Sequence, residues 1–253
     1  MKNILLSGKN LRKSFFQNGS ETEILRSITI DIYEGDFTVI MGASGAGKST
    51  LLYALSGMDD ITGGEVFFKG QKISGLSENK MAELRAKEFS FVFQQTHLVS
   101  NLTLFENAAA AGLAGGKGNI KEIGEKANRL LSQMNVMGAK DRLPSQVSGG
   151  EAQRAAIARA MINDPALIFA DEPTGALNKA NSDEVLELLT DLNRKGQSIL
   201  MVTHDVRAAV RGNRILYLED GQIMDELSLP FYSETEEKER AEKTNSWLSS
   251  LRW

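Results

Sequence analysis

The segment that most constrains the fold is the octapeptide Gly42-Ala43-Ser44-Gly45-Ala46-Gly47-Lys48-Ser49, which satisfies G-x-x-x-x-G-K-[ST] at every position. An apolar run rich in β-formers, residues 37–41, precedes it, and residues 51–55 follow with helical character. In this order of strand, glycine-rich loop and helix, main-chain N–H groups close around phosphates. The motif therefore predicts a nucleoside triphosphate site, with Lys48 at the β- and γ-phosphates and the Ser49 hydroxyl on Mg²⁺.

The glycines of this loop have separate uses. Gly45 and Gly47 permit backbone conformations and close approaches that a side chain would block. We expect nucleotide contacts from the loop and the first helical turn: Gly42, Ser44, Gly45, Ala46, Gly47, Lys48, Ser49 and Thr50. The motif alone does not separate GTPases, kinases and motor ATPases.

Apolar strand-like runs recur along the rest of the chain, at residues 28–32, 65–68, 89–93, 166–170, 198–202 and 214–218. Residues 102–162 are helical in pattern without a good strand candidate, and a further helix is expected over roughly 182–194. Buried strands alternating with helices predict a parallel α/β sheet, and the long helical insert predicts a separate lobe. Asp220-Gly221 predicts a hairpin turn.

Two acidic residues and a histidine follow predicted strands at their carboxyl ends, where parallel sheets bind ligands. Asp171 is placed to hold Mg²⁺, and Glu172 can accept a proton from an attacking water. His204 can donate to a γ-phosphate, while Asp205 caps the next helix. Taken singly, these residues also fit a solvated strand end and an ordinary loop histidine.

A second phosphate-binding feature lies at Ser148-Gly149-Gly150-Glu151, which opens a helix over residues 152–162. Exposed N–H groups at a helix start, with a serine hydroxyl, favour an anion. One chain needs only one phosphate loop for one ATP, so this site is expected to meet the ATP of another subunit. By itself the pattern also fits a capped helix with a glycine-rich start.

At this point the sequence resembles the nucleotide-binding subunit of an ABC transporter, from about residue 10 to residue 226. The resemblance implies an α/β fold: a P-loop NTPase (RecA-like) parallel-sheet core with an antiparallel β subdomain and an inserted α-helical subdomain at about 95–163. It divides the chain into a nucleotide-binding domain, 1–226, and a charged, partly helical extension, 227–253. We expect this extension to pack on the chain's own domain.

The resemblance also implies roles for single residues. Phe15 is similar to the aromatic that stacks on adenine, with Phe16 a close rival. Gln94 resembles the glutamine that links Mg²⁺ and the attacking water to the helical lobe, so the implied metal ligands are Ser49, Gln94 and Asp171.

For the chemical step the resemblance implies Glu172 as the base and His204 as the γ-phosphate switch. It implies Gln94 as the third catalytic residue, through its link to the attacking water. Ser148, Gly149, Gly150 and Glu151 match the signature that closes on a partner's ATP, and residues 175–178 resemble the loop that crosses the dimer interface.

Three features, at four positions, depart from the family pattern. Val147 and Glu151 stand where Leu and Gln are usual, Asn178 stands where Asp is commoner, and Phe15 replaces Tyr. None of these changes removes a catalytic group. We expect Asn178 to alter how two sites in a dimer communicate.

The resemblance implies an ATP-hydrolysing subunit, with ATP and Mg²⁺ as cofactors, that dimerises on ATP and drives a membrane permease on a separate chain. The sequences of residues 91–95, 170–177 and 201–205 resemble the subgroup of ABC subunits that serve macrolide export, lipoprotein release and antimicrobial-peptide resistance. In this subgroup the permease acts by transmitting force across the membrane (mechanotransmission). The alternatives are a soluble ABC switch in DNA repair or translation, and a regulatory module that holds ATP without turnover. One phosphate loop, no heptad run and Glu172 count against them.

Composition limits the remaining classes. The 253 residues carry a net charge of −4, which argues against nucleic-acid binding through a generally basic surface. The absence of cysteine excludes disulfides and thiolate metal sites. Neither a signal peptide nor an apolar run of membrane-spanning length is evident, so we expect a peripheral position on the cytoplasmic face of the membrane, through the permease.

Overall fold

The computed structural model describes residues 2–17, 19–116, 118–251 and 253. The first elements are β1 (Ile4–Gln17), β2 (Ser20–Tyr33), β3 (Phe37–Met41), α1 (Lys48–Ser56), β4 (Gly63–Phe68) and β5 (Gln71–Lys72). They are followed by α2 (Glu78–Glu88), β6 (Phe89–Phe93), α3 (Leu104–Gly115), α4 (Ile120–Gln133), α5 (Gly149–Met161), β7 (Leu167–Asp171) and α6 (Lys179–Arg194). The last elements are β8 (Ser198–Thr203), α7 (Val206–Ala209), β9 (Arg214–Glu219), β10 (Gln222–Ser228) and α8 (Glu237–Ser250).

The chain forms two compact units, one of Met1–Ser77 with Leu192–Trp253 and one of Glu78–Asp191. The first unit contains two sheets. One is antiparallel, in the order β2-β1-β4-β5. In the other, β3 lies between β8 and β9 and runs parallel to both, and β10 returns antiparallel to β9.

The central strands of the first unit are apolar because both of their faces are covered. Every residue of β3 and β8 is buried, which explains runs without polar alternation. Phe37 and Ile40 are completely buried on β3, and each such side chain contributes roughly 1.5–3 kcal/mol when it leaves water. The strand that precedes the phosphate loop is therefore held in the centre of its sheet.

The second unit consists of helices with a parallel pair of strands, β6 and β7. Phe89 and Phe91 of β6 both pack on Phe169 of β7, with ring centroids 5.2 and 5.3 Å apart. Thr103 and Asn119 begin α3 and α4 with capping boxes, in which Glu106 and Glu122 return hydrogen bonds to the caps. These capping boxes fix where the two helices begin.

The C-terminal extension packs on the first unit. Arg240 of α8 is only 3% exposed and donates to the main-chain oxygens of Val210, Gly212 and Pro230 at 2.7–2.9 Å. Trp247 donates to Asp225 at 2.8 Å. These contacts confirm the expectation that the tail covers its own domain.

The fold class predicted from the sequence is confirmed, with three elements added, one of which is the two-residue strand β5. The sequence reading did not predict β1 as a strand or α2 as a helix. Asn10 takes a positive φ of 50° and the β1–β2 register shifts several times, which breaks the alternation of β1. In α2 only Met81 is buried, so no apolar stripe marks it.

Among the described residues, no helix combines the length and the apolar character that a membrane crossing requires.

Candidate functional site

The phosphate loop joins β3 to α1 in the first unit. Gly45 and Gly47 have φ of 85° and 101°, a region open to glycine and rarely taken by other residues. A Cβ on Gly42 would lie 2.2 Å from the main-chain oxygen of Leu218, so a side chain has no room there. Gly47 is the N-cap of α1 and offers no side-chain cap, so an anion at this helix start would meet main-chain N–H groups.

Lys48 lies under this loop as a buried side chain. Its Nζ donates to the main-chain oxygens of Gly42 at 2.7 Å and Ala43 at 3.0 Å. Ser49 and Thr50 follow in the first turn of α1 and are half-buried, while Ser44 is exposed on the loop and Ala46 is buried. The ammonium and the Ser49 hydroxyl thus belong to one rigid helix start.

His204 directly follows β8 in the same unit and is exposed. The turn that carries it is fixed on both sides. Thr203 Oγ1 accepts from the N–H of Asp205 at 3.0 Å, and Asp205 caps α7 by accepting from the N–H of Arg207 at 2.9 Å. The predicted helix-capping role of Asp205 is confirmed.

In the second unit, Asp171 is the last residue of β7, and Glu172 begins a tight turn closed by Gly175 N–H to Glu172 O at 3.0 Å. Glu172 has a φ of 46°, which is uncommon for a residue with a side chain. Backbone conformations of this kind cost about 1–3 kcal/mol and concentrate at functional sites.

Gln94 follows β6 immediately, and the β6–β7 register pairs Phe93 with Asp171. A Cβ on Gly175 would lie 3.0 Å from Nε2 of Gln94, so the amide rests against the turn that Glu172 begins. The second unit therefore places Gln94 beside the turn that carries the acidic pair. The strand-end position predicted the two acids, whereas Gln94 was implied only by the family resemblance, and the roles of all three stay predictions.

Ser148 caps α5 with a complete capping box. Its Oγ accepts from the N–H of Glu151 at 3.2 Å, and Glu151 Oε2 accepts from Ser148 N–H and Oγ, both at 2.8 Å. The main-chain hydrogen bond from Ser148, followed by its hydroxyl, lowers the pKa of Glu151. Gly149 is exposed, and a Cβ on Gly150 would lie 2.3 Å from Oδ1 of Asn181, so a side chain at position 150 would require Asn181 to move.

Comparison with protein-family models matches residues 25–175 to the family described as ABC transporter. The chain belongs to the ABC transporter family. It is 38% identical over 253 residues to the macrolide export ATP-binding/permease protein MacB of Pasteurella multocida (strain Pm70). The alignment covers all of this chain and 38% of that protein, so the chain spans about two fifths of its relative's length.

Solved structures agree with the family. The ATP-binding cassette MJ0796, in a dimeric post-hydrolysis state bound to ADP and Pi, superposes with a TM-score of 0.84 at 34% identity, covering 90% of this chain and 100% of that one. The cbiO1 structure from Clostridium perfringens, at 24% identity, has a TM-score of 0.79 and supports the fold alone, covering 90% of this chain and 89% of that one. The predicted resemblance, fold class and identity as an ABC-type ATP-binding subunit are confirmed.

The oxygen donors predicted for Mg²⁺ fit that ion chemically. Ser49 offers a hydroxyl, Asp171 a carboxylate and Gln94 an amide oxygen, and Mg²⁺ prefers such hard oxygen ligands together with substrate phosphates. Among the described residues of this ABC cassette, no group of three or more His, Cys, Asp or Glu could hold a metal by itself.

Two side chains that the sequence did not predict as functional join α5, the helix that follows the signature (here called the signature helix), to the segment around Gln94. Gln153 of α5 is 1% exposed and donates to the main-chain oxygen of Phe93 at 2.9 Å. Arg159 donates to the main-chain oxygens of Thr96 at 2.8 Å and His97 at 2.7 Å, and burial lowers its pKa. The signal in the sequence was Gln153 itself, a single amide among the alanines of the predicted helix, because a buried amide needs a hydrogen-bond partner.

A second missed contact supports the phosphate loop of the cassette. Gly221, in the β9–β10 turn, donates to the main-chain oxygen of Ala46 at 3.2 Å and accepts from the N–H of Arg26 at 2.9 Å. The sequence predicted Asp220-Gly221 only as a hairpin turn. In the structure the same turn also links the loop to β2.

Proposed function

We propose that this chain is the ATP-hydrolysing motor of a membrane transporter and that two copies close face to face on two ATP molecules. The observation that carries the proposal is the presence of two separate helix starts suited to phosphate. One is the glycine-capped start of α1 at Lys48, and the other is the start of α5 behind Ser148. One nucleotide per chain needs only the first, so the second is available to a partner's ATP.

Within this proposal each predicted residue has a task. Lys48 and the loop N–H groups hold the phosphates, Phe15 supports adenine, and Glu172 takes the proton of the attacking water. The remaining residues bind the metal or sense the γ-phosphate: Ser49, Gln94, Asp171 and His204. Mg²⁺ held by Ser49, Gln94 and Asp171 would neutralise part of the negative charge on the phosphates.

The membrane partner is proposed as a permease on a separate chain, with the cassette held peripherally on its cytoplasmic side. The relative MacB is named as an ATP-binding/permease protein for macrolide export, and this chain matches 38% of its length. The macrolide-export name of that relative supports a cassette serving drug export. Antimicrobial-peptide clearance and mechanotransmission are part of the proposal through the subgroup that the sequence resembles. Closure of the dimer would pull on the permease, and hydrolysis would let the dimer reopen.

The test replaces Glu172 by glutamine. We expect Glu172→Gln to keep ATP binding, to lose turnover by about 10²-fold or more, and to accumulate as an ATP-bound dimer in size-exclusion chromatography. Glu125→Gln, the same change on an exposed position of α4, serves as the matched control and should behave as wild type.

Normal turnover in Glu172→Gln would remove Glu172 from the role of base. Pull-down of the full chain expressed with its genomic neighbours tests the transporter itself. A polytopic membrane protein that stimulates the ATPase is expected, whereas ribosomal or DNA-repair proteins would move the function to the soluble class.

A further inference from the structure

A buried lysine lies directly beside the aromatic side chain assigned to adenine. Lys13 of β1 is only 7% exposed, and its Nζ is 4.8 Å from the centroid of the Phe15 ring. An ammonium at this distance is attracted by the negative face of the ring. The Phe15 side chain remains 46% exposed, so it has surface left for a ligand.

The same ammonium is anchored to the segment that follows α1. Lys13 Nζ donates to Asp59 Oδ1 at 2.6 Å and to the main-chain oxygen of Asp60 at 2.5 Å. Taking an ammonium out of water is costly unless it is paired and hydrogen-bonded, and these two oxygens supply both conditions. These acceptors fix the position of the Lys13 ammonium. An apolar side chain at this site would not be held in one direction in this way.

Two more hydrogen bonds join the same two segments on either side of Lys13. Thr62 N–H donates to Arg12 O at 2.9 Å, and Ser14 N–H donates to Thr62 Oγ1 at 3.2 Å. The segment also remains attached to the end of α1, since Asp59 N–H donates to Tyr53 O at 3.3 Å. The helix whose first turn carries the phosphate-binding residues is thereby linked at its other end to the strand that carries Phe15.

The neighbouring phenylalanine lacks this arrangement. Phe16 is 74% exposed, and within the described part of the chain no cation lies over its ring. A freely exposed ring must lose rotamer freedom when it stacks on a base, whereas a ring already held on one face loses less. This difference favours Phe15 over Phe16 as the stacking residue.

We infer that Lys13 is a positioning residue for the nucleotide base: it fixes the Phe15 ring against one face and joins this ring to the end of α1. The inference rests on the proposed function, in which Phe15 supports adenine. It makes base recognition depend on an ammonium that does not touch the nucleotide. Loss of that ammonium should weaken recognition of the base while leaving recognition of the phosphates intact.

The experiment compares ATP with inorganic tripolyphosphate as ligands of the full chain, by isothermal titration calorimetry. Methionine matches the length of lysine without its charge. We expect Lys13→Met to raise the Kd for ATP about 3- to 10-fold and to leave the Kd for tripolyphosphate unchanged. Lys13→Arg, which keeps a cation, should restore most of the ATP affinity.

Two variants of the aromatic pair separate this inference from the proposed function. Phe15→Ala should weaken ATP about tenfold, and Phe16→Ala is its matched control, expected to bind as wild type. In the double variant Lys13→Met/Phe15→Ala the loss should equal that of Phe15→Ala alone, since the lysine acts through the ring. A purely structural role for Lys13 would weaken ATP and tripolyphosphate to the same extent, and that result would overturn the inference.

The remaining outcomes are equally decisive. Wild-type ATP affinity in Phe15→Ala would remove the adenine platform itself, and the inference with it. A loss in Phe15→Ala without a loss in Lys13→Met would overturn only the role of Lys13. If Lys13→Met does not fold, Lys13→Gln takes its place, because it removes the charge and retains a polar group. The ratio of its Kd for ATP to its Kd for tripolyphosphate then decides whether the inference holds.

Discussion

Replacing Gln153 by methionine tests whether the signature helix fixes the position of Gln94. Gln153 donates to the main-chain oxygen of Phe93, the residue directly before Gln94, from a site that is almost completely buried. Methionine occupies a similar volume but cannot donate, so the carbonyl loses this donor. A buried acceptor left unsatisfied costs about 1–3 kcal/mol. Since domains are stable by roughly 5–15 kcal/mol, the variant should still fold.

The effect on turnover follows from the position of Phe93. With its carbonyl released, the end of β6 can shift relative to the turn that begins at Glu172, and Gln94 rests against that turn through Gly175. Displacement of a positioning group by about 1 Å can cost on the order of 10²-fold in rate. We expect turnover at saturating ATP to fall about 10- to 100-fold, with a smaller change in ATP affinity because the phosphate loop is untouched.

The assay combines urea denaturation with steady-state ATP hydrolysis. Thr190→Val is the matched control, because it also removes a buried side-chain hydrogen bond to a main-chain oxygen, Leu186, at 2.7 Å on α6. It should cost about 1 kcal/mol without changing turnover. If Gln153→Met loses stability and still turns over ATP at the wild-type rate, the tether has only a structural role and the reasoning is refuted.

Two further predictions concern carboxylates whose pKa values the structure lowers. Hydrogen bonds from Ser148 lower the pKa of Glu151, so this carboxylate stays ionised beside the proposed partner phosphate and repels it. Glu151→Gln keeps the capping box without the negative charge. It should tighten ATP-dependent dimerisation about threefold, measured by analytical ultracentrifugation in the Glu172→Gln background. Weaker dimerisation would contradict this. Glu226 accepts from Arg214 Nε and Nη2, both at 2.7 Å, and this hydrogen bonding lowers its pKa. Its stabilising effect is present above the unfolded pKa of about 4.3 and is lost as pH falls through the lower folded value. Glu226→Gln should therefore lower the free energy of unfolding at pH 7. In denaturation series the difference from wild type should begin to shrink as pH falls below about 4.3 and vanish at lower pH. A pH-independent difference would contradict the pairing.

The sequence predicted those parts of the fold in which local pattern and burial coincide. The runs at 37–41 and 89–93 became β3 and β6 residue for residue. Every residue of β3 is buried, and β6 buries Phe89 and Val92, so a largely apolar run marks each strand. The sequence missed β1, where bulges interrupt the alternation, and α2, which buries only Met81. Helix α6 begins at Lys179, three residues before the predicted start.

The candidate site divides in the same way. Patterns read along the chain located the phosphate loop, the strand-end acids and the signature, and their roles remain predictions until the variants are measured. Contacts between distant segments carried no readable pattern. The hydrogen bond from Gln153 to Phe93 joins residues 60 positions apart, and that from Lys13 to Asp59 joins residues 46 apart. Such contacts depend on the completed fold.

The two polar departures from the family pattern have a common physical explanation. Asn178 Oδ1 accepts from Asn181 N–H at 3.0 Å at the start of α6, as an aspartate there could, and Glu151 closes the capping box of α5 as a glutamine could. Each replacement keeps the cap and changes only the charge. Both positions lie in segments proposed to face a second copy. These two positions therefore combine helix initiation with charge at the proposed dimer face, and substitutions that change the charge but preserve the cap separate the two effects.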